Sequence, residues 1–164
     1  MTELTIPSDA FRQAMSRFAT GVTVLTTTDG RLDHAMTANS VTSVSLDPPL
    51  VLACVHNEAR FLEAVRETRA WAINVLPASE RAAADWLAVP GRPAHGQLER
   101  VEHRRGENGV ALFENANAVL ECSTWAEYPG GDHAIVVGLV EGVHLPDRVG
   151  DALLYYRGAY RSLA

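Results

Sequence analysis

The chain has 164 residues, of which 47% are hydrophobic and 21% are charged, and its formal net charge is −6. These values are ordinary for a globular protein of this length, so we expect one domain over residues 1–164. An acidic chain with no cluster of Lys or Arg and no apolar run of about 20 residues is not expected to bind nucleic acid or a membrane.

The first predicted element is a helix over residues 8–19. Phe11, Met15 and Phe18 fall at helical spacing on one face, and Ser8 is a candidate N-cap. The polar start of the chain does not have the character of a secretory signal. We therefore expect a cytoplasmic protein.

Strands dominate the rest of the chain, and helices are predicted only at 59–68 and from Ser79 to about Ala88. The predicted strands are 22–27, a returning strand 34–45 after the Asp29-Gly30 turn, 50–55, 70–76, and segments near 117–127, 133–144 and 152–161. Short strands with few helices favour a mainly β fold, an antiparallel barrel rather than a βαβ sheet.

Residues 86–116 have no clear periodicity. The turns at Pro90-Gly91-Arg92-Pro93 and 106–109 enclose a polar stretch. This pattern predicts either an ordered surface insertion or a lid.

The two cysteines, Cys54 and Cys122, lie far apart and in apolar segments, and the sequence has no Cys-x-x-Cys or His-Glu-x-x-His motif. A metal site is therefore not expected. Both thiols are predicted to be small core residues in a reducing compartment.

The run from Thr37 to Ser45 (TANSVTSVS) carries six short hydroxyl or amide side chains. A half-buried strand should alternate apolar and polar residues, but here both faces are polar. Buried hydroxyls and amides need hydrogen-bond partners, which a phosphorylated cofactor could supply. A Ser/Thr-rich strand facing water is the alternative.

Three further positions suggest a site, although each has an ordinary structural explanation. His133 stands between the turn 129–132 and an apolar strand. This position suits a residue at the mouth of a pocket, or else a turn histidine that bonds to Asp132. Tyr156 could stack on a planar ring while Arg157 pairs with a phosphate; alternatively, the aromatic strand packs on the core and the Arg157 guanidinium extends to solvent.

Arg60 is at the start of a predicted helix, where a phosphate binds favourably. The alternative is that Arg60 is an ordinary solvated charge. No Rossmann, Walker or Gly-x-Ser-x-Gly motif is present.

Taken together, these segments resemble the short-chain flavin reductase family, the reductase components of two-component flavin monooxygenases. Four blocks carry the resemblance in the expected order: FRQAMSRFATGVTVLTT (11–27), MTANSVTSVSLDPPLVLACV (36–55), GDHAIVVGLVEG (131–142) and LLYYRGAY (153–160). The second block is long and highly specific.

The resemblance implies an FMN-binding split β-barrel with a Greek-key-like topology, which assembles as a homodimer. It implies an NAD(P)H:flavin oxidoreductase, in which NADH or NADPH reduces FMN or FAD and the reduced flavin passes to a separate monooxygenase. The cofactor supplies the hydride chemistry, and the protein supplies orientation and electrostatics.

The resemblance also implies the site residues. The flavin would be bound by Thr37, Ala38, Asn39, Ser40, Ser43, Ser45, Cys54 and Val55, with Arg60 near its phosphate. His133 would orient the nicotinamide or close the pocket, and Tyr156 and Arg157 resemble positions that contact the nicotinamide nucleotide. Ala35 stands where the family commonly has Gly, and Phe61 where it often has a hydroxyl side chain that donates to the phosphate.

Other readings of the same sequence remain open. A split-barrel protein could bind flavin without turning over NAD(P)H, or a silent barrel could serve as an interaction module. A pyridoxamine-phosphate-oxidase type of activity would require more cationic phosphate ligands than Arg60 alone.

Overall fold

A computed structural model describes residues 5–163. Within this range the helices are α1 (Ser8–Ser16), α2 (Arg60–Thr68) and α3 (Arg81–Ala88), with a 3₁₀ turn at Ala78–Glu80. The strands are β1 (Thr20–Gly21), β2 (Thr23–Thr28), β3 (Asp33–Ala38), β4 (Val41–Leu46), β5 (Pro49–His56), β6 (Ala70–Val75), β7 (His103–Arg105), β8 (Ala111–Phe113), β9 (Ala118–Gly130), β10 (His133–His144), β11 (Leu154–Tyr156) and β12 (Ala159–Arg161).

An antiparallel seven-stranded sheet has the order β3-β2-β6-β9-β10-β5-β4. Strands β3 and β4 are its two edges, yet only Asn39 and Ser40 connect them along the chain. Such a link spans only about 10 Å, so the two edges must approach each other and the sheet must curl into a barrel. Ser40 extends the pairing of β4 with β5 into this link, because its carbonyl accepts from the Cys54 N–H at 3.0 Å. The split-barrel prediction is confirmed.

The predicted single strand 34–45 is therefore wrong, because the chain changes sheet edge at Asn39-Ser40. Strand β3 pairs with β2, and β4 pairs with β5 through a register shift between Ser43 and Ser45. The side-chain alternation expected across the whole run is interrupted at the link.

Two hydrophobic clusters form the core on the two faces of the sheet. Neighbouring residues of β2 belong to different clusters: Val24 packs in the first and Leu25 in the second, and both are fully buried. Alternate side chains of a strand point to opposite faces, so both faces of β2 are covered. Helix α2 covers one face, where Phe61 and Leu62 join the second cluster.

The segment 86–116 covers the other face and is not a polar insertion or lid. Leu98, Val101 and the run 110–113 are buried in the first cluster. Asn74 of β6 fixes this segment, since its Oδ1 accepts from the Phe113 N–H at 2.8 Å and its Nδ2 donates to the Val24 carbonyl at 3.0 Å. A fully buried amide with satisfied hydrogen bonds specifies one docking position.

Two predicted helix starts differ from the structure. Pro7, not Ser8, is the N-cap residue of α1, and this helix ends at Ser16 rather than at residue 19. Ser79 lies within the 3₁₀ turn, so α3 begins at Arg81. Neither helix has a side-chain N-cap, and both starts are set by the preceding backbone.

The C-terminal segment 152–161 is a hairpin instead of one strand. Arg157 and Gly158 have φ values of 52° and 75°, which is the geometry of a tight two-residue turn between β11 and β12. Strand β1 adds to this hairpin as a separate three-stranded sheet.

Candidate functional site

A groove with a volume of about 770 Å³ has two sides of different construction. The strand wall comprises residues 34–37 of β3, His56 at the end of β5, and residues 58–61 at the start of α2. The loop wall is the segment 87–97, which runs on from the end of α3; its residues 87–92 and Gln97 line the groove. A groove of this volume falls within the range of small-molecule and cofactor sites.

A smaller cavity of about 210 Å³ shares Thr37 and Ala88 with the groove. Its other lining residues are Val22, Ala38, Asn39, Tyr155 and Tyr160. The rings of Tyr155 and Tyr160 meet edge to face, with centroids 5.7 Å apart. Burial, followed by the nearby Asp85 carboxylate, raises the pKa of Tyr160, so the phenol remains protonated near neutral pH.

Two hydroxyls of the polar run bond to the backbone of the protein itself. Thr37 Oγ1 donates to the Ala84 carbonyl of α3 at 2.7 Å, and Ser40 Oγ donates to the Cys54 carbonyl at 2.8 Å. Asn39 is exposed in the smaller cavity. Ser43 is exposed and Ser45 half-buried on β4, and neither lines either cavity.

The remaining flavin candidates lie on β5 and α2. Cys54 is half-buried, whereas Val55 is fully buried in the second core cluster, so only its backbone could face a ligand. Arg60 is exposed and lines the groove at the N-terminus of α2, a helix that no side chain caps. Free N–H groups at a helix N-terminus attract anions.

Side-chain hydrogen bonds to backbone hold the loop wall against β3. Gln97, only 3% exposed, accepts from the Ala35 N–H at 3.1 Å and donates to the Pro93 carbonyl at 3.1 Å. Trp86 Nε1 donates to the Gln97 carbonyl at 2.9 Å. The Ala35 methyl belongs to a residue packed in the first core cluster, with 2% exposure.

Arg92 also belongs to the loop wall. Its guanidinium donates to the Ala35 carbonyl and, at 2.9 Å, to the Val89 carbonyl. Arg60 in turn donates to the Arg92 carbonyl across the groove. Burial and the charge of Arg60 lower the pKa of Arg92, although a guanidinium remains protonated at any physiological pH.

His133 lies at the start of β10, directly opposite His56 at the end of β5. Their rings meet edge to face with centroids 5.3 Å apart, and His56 lines the groove. His133 Nδ1 lies 2.7 Å from Asp132 Oδ1, and this hydrogen bond lowers the pKa of Asp132. The ring of His133 is thereby oriented next to the groove entrance.

Tyr156 and Arg157 lie at the tip of the β11–β12 hairpin. Both are exposed, and neither lines the groove or the smaller cavity. The Arg157 N–H donates to the Ser16 carbonyl at the end of α1 at 2.8 Å. The aromatic residues of this hairpin that face the smaller cavity are instead Tyr155 and Tyr160.

The expectation for the thiols is confirmed only for Cys122, which is fully buried; burial raises its pKa to about 12. Sequence reasoning missed Arg92 and Gln97 as groove residues. Both come from the segment without periodicity, and Arg92 looked like part of a turn because its partner Ala35 is distant in sequence. His56, in contrast, could be found, since it follows a buried strand directly.

Residues 15–164 match the model of the "Flavin reductase like domain" family. The NADH-dependent FMN reductase AsuE2 of Streptomyces nodosus subsp. asukaensis is 38% identical, over 93% of this chain and 83% of its own length. The reductase component of 4-hydroxyphenylacetate 3-monooxygenase of Thermus thermophilus is 39% identical, over 94% of this chain and 96% of its own length.

Solved structures give the same result. BorF, the flavin reductase component of a bacterial two-component tryptophan halogenase, superposes with a TM-score of 0.89 at 42% identity, covering 96% of this chain and 98% of its own. The likeness extends over both walls of the groove. This chain belongs to the flavin reductase-like domain family.

Proposed function

We propose that this protein is an NAD(P)H-dependent flavin reductase, which transfers a hydride from NADH or NADPH to FMN or FAD and supplies reduced flavin to a separate monooxygenase. One observation carries the proposal within the family match: a continuous surface joins a cationic region at Arg60 to an aromatic cavity at Tyr155, with Thr37 between them. A flavin has the same combination of an anionic tail and a planar aromatic ring.

The residues present fit such a ligand. The groove volume of about 770 Å³ is sufficient for a nucleotide-sized cofactor. Two polar atoms of the lining, Arg92 Nε and His34 Nδ1, have no hydrogen-bond partner among residues 5–163. Buried donors and acceptors without partners are costly, so a polar ligand here would stabilise the site.

Most of the site assignments come from the resemblance, and the geometry supports a subset of them. Thr37, Ala38 and Asn39 are the proposed contacts for the ring and ribityl chain, since they line the surface between the two cavities. Arg60 is the proposed phosphate contact. Ser40, Ser43, Ser45, Cys54 and Val55 lie outside both cavities and stay predictions.

A bound flavin supplies the hydride acceptor, and the protein's work is to orient the two ligands and to exclude water. The Thr37 side chain is held by α3, so the central contact is preorganised. His133 is held by Asp132 and His56, which suits it to orient the nicotinamide or to close the entrance. We do not assign His133 a proton-transfer step. Tyr156 and Arg157 remain predicted contacts of the nicotinamide nucleotide.

We further propose that the protein is a homodimer. Helix α1 has no buried residue, and the apolar side chains Phe11, Met15 and Phe18 are each more than half exposed. An uncovered apolar face of this kind is typical of an interaction surface. We expect sedimentation analysis to find a dimer that Met15→Glu dissociates and Gln13→Glu, at an exposed site on the same helix, does not.

The proposed place of action is the cytoplasm, with residues 1–164 acting as one domain. The described helices lack the length and apolar character needed to cross a bilayer. The reduced flavin would reach the monooxygenase by release from this protein, as the reductase role requires.

The decisive experiment follows the absorbance of NADH and NADPH, without oxygen and then in air, with FMN, FAD, riboflavin or no flavin added. We expect NADH or NADPH to be oxidised only when flavin is added or bound, and one of the two nucleotides to be oxidised faster than the other. Flavin binding without turnover would instead support a binding protein on the same barrel. If the folded protein neither binds flavin nor oxidises NAD(P)H, the remaining interpretation is that the barrel serves as an interaction module.

A further inference from the structure

Two imidazoles lie side by side at the entrance of the groove. His56 ends β5 and His133 begins β10, and the two residues are directly opposite each other in the antiparallel ladder. Their rings meet edge to face with centroids 5.3 Å apart. His56 lines the groove, whereas His133 lies just outside its lining. His56 is therefore the ring of the pair that borders the space of the groove itself.

The tautomer of His56 is set by the backbone that follows it. The Glu58 N–H donates to His56 Nδ1 at 3.2 Å. A ring nitrogen that accepts a hydrogen bond cannot carry the proton of a neutral imidazole, so this proton is on Nε2. No group of residues 5–163 accepts a hydrogen bond from His56 Nε2. This nitrogen is thus a donor that remains available to a ligand.

His133 has the opposite arrangement. Its Nδ1 lies 2.7 Å from Asp132 Oδ1, and this hydrogen bond lowers the pKa of Asp132, so the carboxylate is ionised near neutral pH. An ionised carboxylate only accepts hydrogen bonds, so Nδ1 carries the proton and Nε2 of the neutral ring is an acceptor. Among the described residues nothing donates to this Nε2. The two rings together offer one donor and one acceptor.

Asn57 holds the two rings opposite each other. Its backbone N–H donates to the Asp132 carbonyl at 3.0 Å, and its Nδ2 donates to the Gly131 carbonyl at 3.1 Å. Both bonds join the turn before β10 to the end of β5. Hydrogen-bonded and non-hydrogen-bonded pairs alternate along an antiparallel ladder, so His56 and His133 form a non-hydrogen-bonded pair, in which side chains lie closest.

We infer that His56 and His133 together bind a primary carboxamide, the group that the nicotinamide rings of NADH and NADPH share. This role rests on the proposed function, and it gives His56 a contact that the family resemblance does not assign. His56 Nε2–H would donate to the carboxamide oxygen, and His133 Nε2 would accept from the carboxamide nitrogen. Because the carboxamide is attached to the ring that carries the hydride, the contact would orient that ring toward the flavin.

The test is a calorimetric titration of the flavin-loaded protein with NAD⁺ and with its acetylpyridine analogue. The analogue keeps the carbonyl but has a methyl group in place of the amide nitrogen. We expect the wild type to bind NAD⁺ about threefold to tenfold more tightly, because the analogue leaves the His133 acceptor unpaired. His133→Ala should bring the two affinities to within about twofold of each other.

His56 should have a different signature, since its proposed partner is the carbonyl that both ligands carry. His56→Phe keeps a ring beside His133 but removes the donor, and it should weaken both ligands by about threefold to tenfold while their ratio persists. His56→Gln restores an N–H donor and should recover part of this loss. His95→Phe, at an exposed histidine that does not line the groove, is the control and should change neither affinity.

Asn57 is proposed as a positioning residue, because it acts through His133. Asn57→Ala should lower the ratio of NAD⁺ to analogue affinity toward the value of His133→Ala, an effect that a general loss of stability would not produce. Asn115→Ala, at an exposed asparagine far along the chain, should leave the ratio unchanged. Circular dichroism and a melting curve establish that each variant is folded.

The pyrimidine edge of the flavin ring also carries carbonyl and N–H groups, so it is a second source of the same chemistry. A fluorescence titration with FMN separates the two sources. We expect His56→Phe to bind FMN as the wild type does. A loss of FMN affinity as large as the loss of NAD⁺ affinity would assign the two rings to the flavin and overturn the inference.

Two further results would overturn it. In one, the wild type binds NAD⁺ and the acetylpyridine analogue equally. In the other, His56→Phe binds both as tightly as the wild type does. Neither measurement depends on turnover, so a failure of the proposed reductase function would be recognised separately, by absent NADH oxidation in flavin-loaded protein that still prefers NAD⁺ to the analogue.

Discussion

The two walls of the groove are held in place by different kinds of interaction. The strand wall belongs to continuous ladders, in which β3 pairs with β2 over six registered residue pairs. The loop wall has no ladder along residues 89–97 and is held by side chains that bond to backbone, chiefly Gln97, Arg92 and Trp86.

This difference predicts where substitutions act. A strand ladder is held by many backbone hydrogen bonds, whereas the loop wall depends on a few side chains. A single substitution in the loop wall should therefore change ligand affinity more than it changes the global free energy of unfolding. The strand wall should behave in the opposite way. Substitutions in either wall, and in the core between them, test that contrast.

Asn74→Ala should have the largest effect, because it removes the connection that lies beneath both walls. The fully buried amide bonds to Val24, Thr26 and Phe113, so its loss leaves several buried polar groups without partners. We expect a loss of about 3 kcal/mol in the free energy of unfolding, and a Tm lower by roughly 10 °C, in thermal or urea denaturation. Asn115→Ala, at an exposed asparagine, is the control and should change little. A small effect of Asn74→Ala would mean that the segment 86–116 is held mainly by its apolar side chains.

Gln97→Ala should loosen the loop wall alone. The Ala35 N–H and the Pro93 carbonyl both lose their partner, at a cost of about 1–3 kcal/mol for the unsatisfied groups. We expect faster hydrogen exchange in residues 89–97 and weaker binding of FMN and riboflavin by similar factors. Gln13→Ala, on the exposed surface of α1, should leave both unchanged. If exchange accelerated throughout the barrel, the loop wall would not be an independent unit.

His133→Ala tests the strand side of the entrance. The side chain is 40% exposed and touches only Asp132 and His56 in the interactions observed, so stability should hardly change. We expect the KM for NADH to rise, or kcat to fall, by about threefold to tenfold, with nearly unchanged flavin affinity. His95→Ala, in the exposed loop, is the control. A large loss of flavin affinity with normal NADH kinetics would contradict the assignment.

The smallest effect should come from the hairpin turn that begins the strand wall. The Leu32 and Arg31 N–H groups, followed by His34, lower the pKa of Asp29 from 3.8 to about 2. The ionised carboxylate is thus favoured in the folded state, so its contribution is complete above about pH 4 and is lost as the pH falls toward 2. We expect Asp29→Ala to flatten the dependence of Tm on pH in that window, while Asp147→Ala, at an exposed loop residue, should not. Parallel Tm profiles of the wild type and Asp29→Ala would show that the turn contributes nothing to acid sensitivity.

Much of the fold could be predicted from local pattern. The strand 133–144 has the predicted bounds, and 50–55 and 70–76 differ from β5 and β6 by at most one residue at each end. These segments are apolar runs bounded by turns, which determine their conformation locally. The barrel topology follows from the family resemblance as much as from the local pattern.

Other features depend on contacts between distant residues and could not be predicted in this way. The change of sheet edge at Asn39-Ser40 is specified by the partner strand β5, not by the alternation of side chains. Leu98 and Val101 are buried without lying on a periodic element, so the segment 86–116 looked polar overall. The contact of Arg92 with the Ala35 carbonyl, which places Arg92 in the loop wall, joins residues distant in sequence and has no local signal.

The barrel closure has a consequence for synthesis on the ribosome. The β4–β5 ribbon is complete early, but β5 pairs on its other side with β10, which emerges only after everything from α2 to β9. Until then Val51, Ala53 and Val55, all buried in the finished protein, have no strand on the β10 side of β5. Pairing between strands so distant in sequence is slow and leaves apolar edges exposed to aggregation. The yield of soluble protein should therefore respond to translation speed and chaperone supply in the interval before β10 is made.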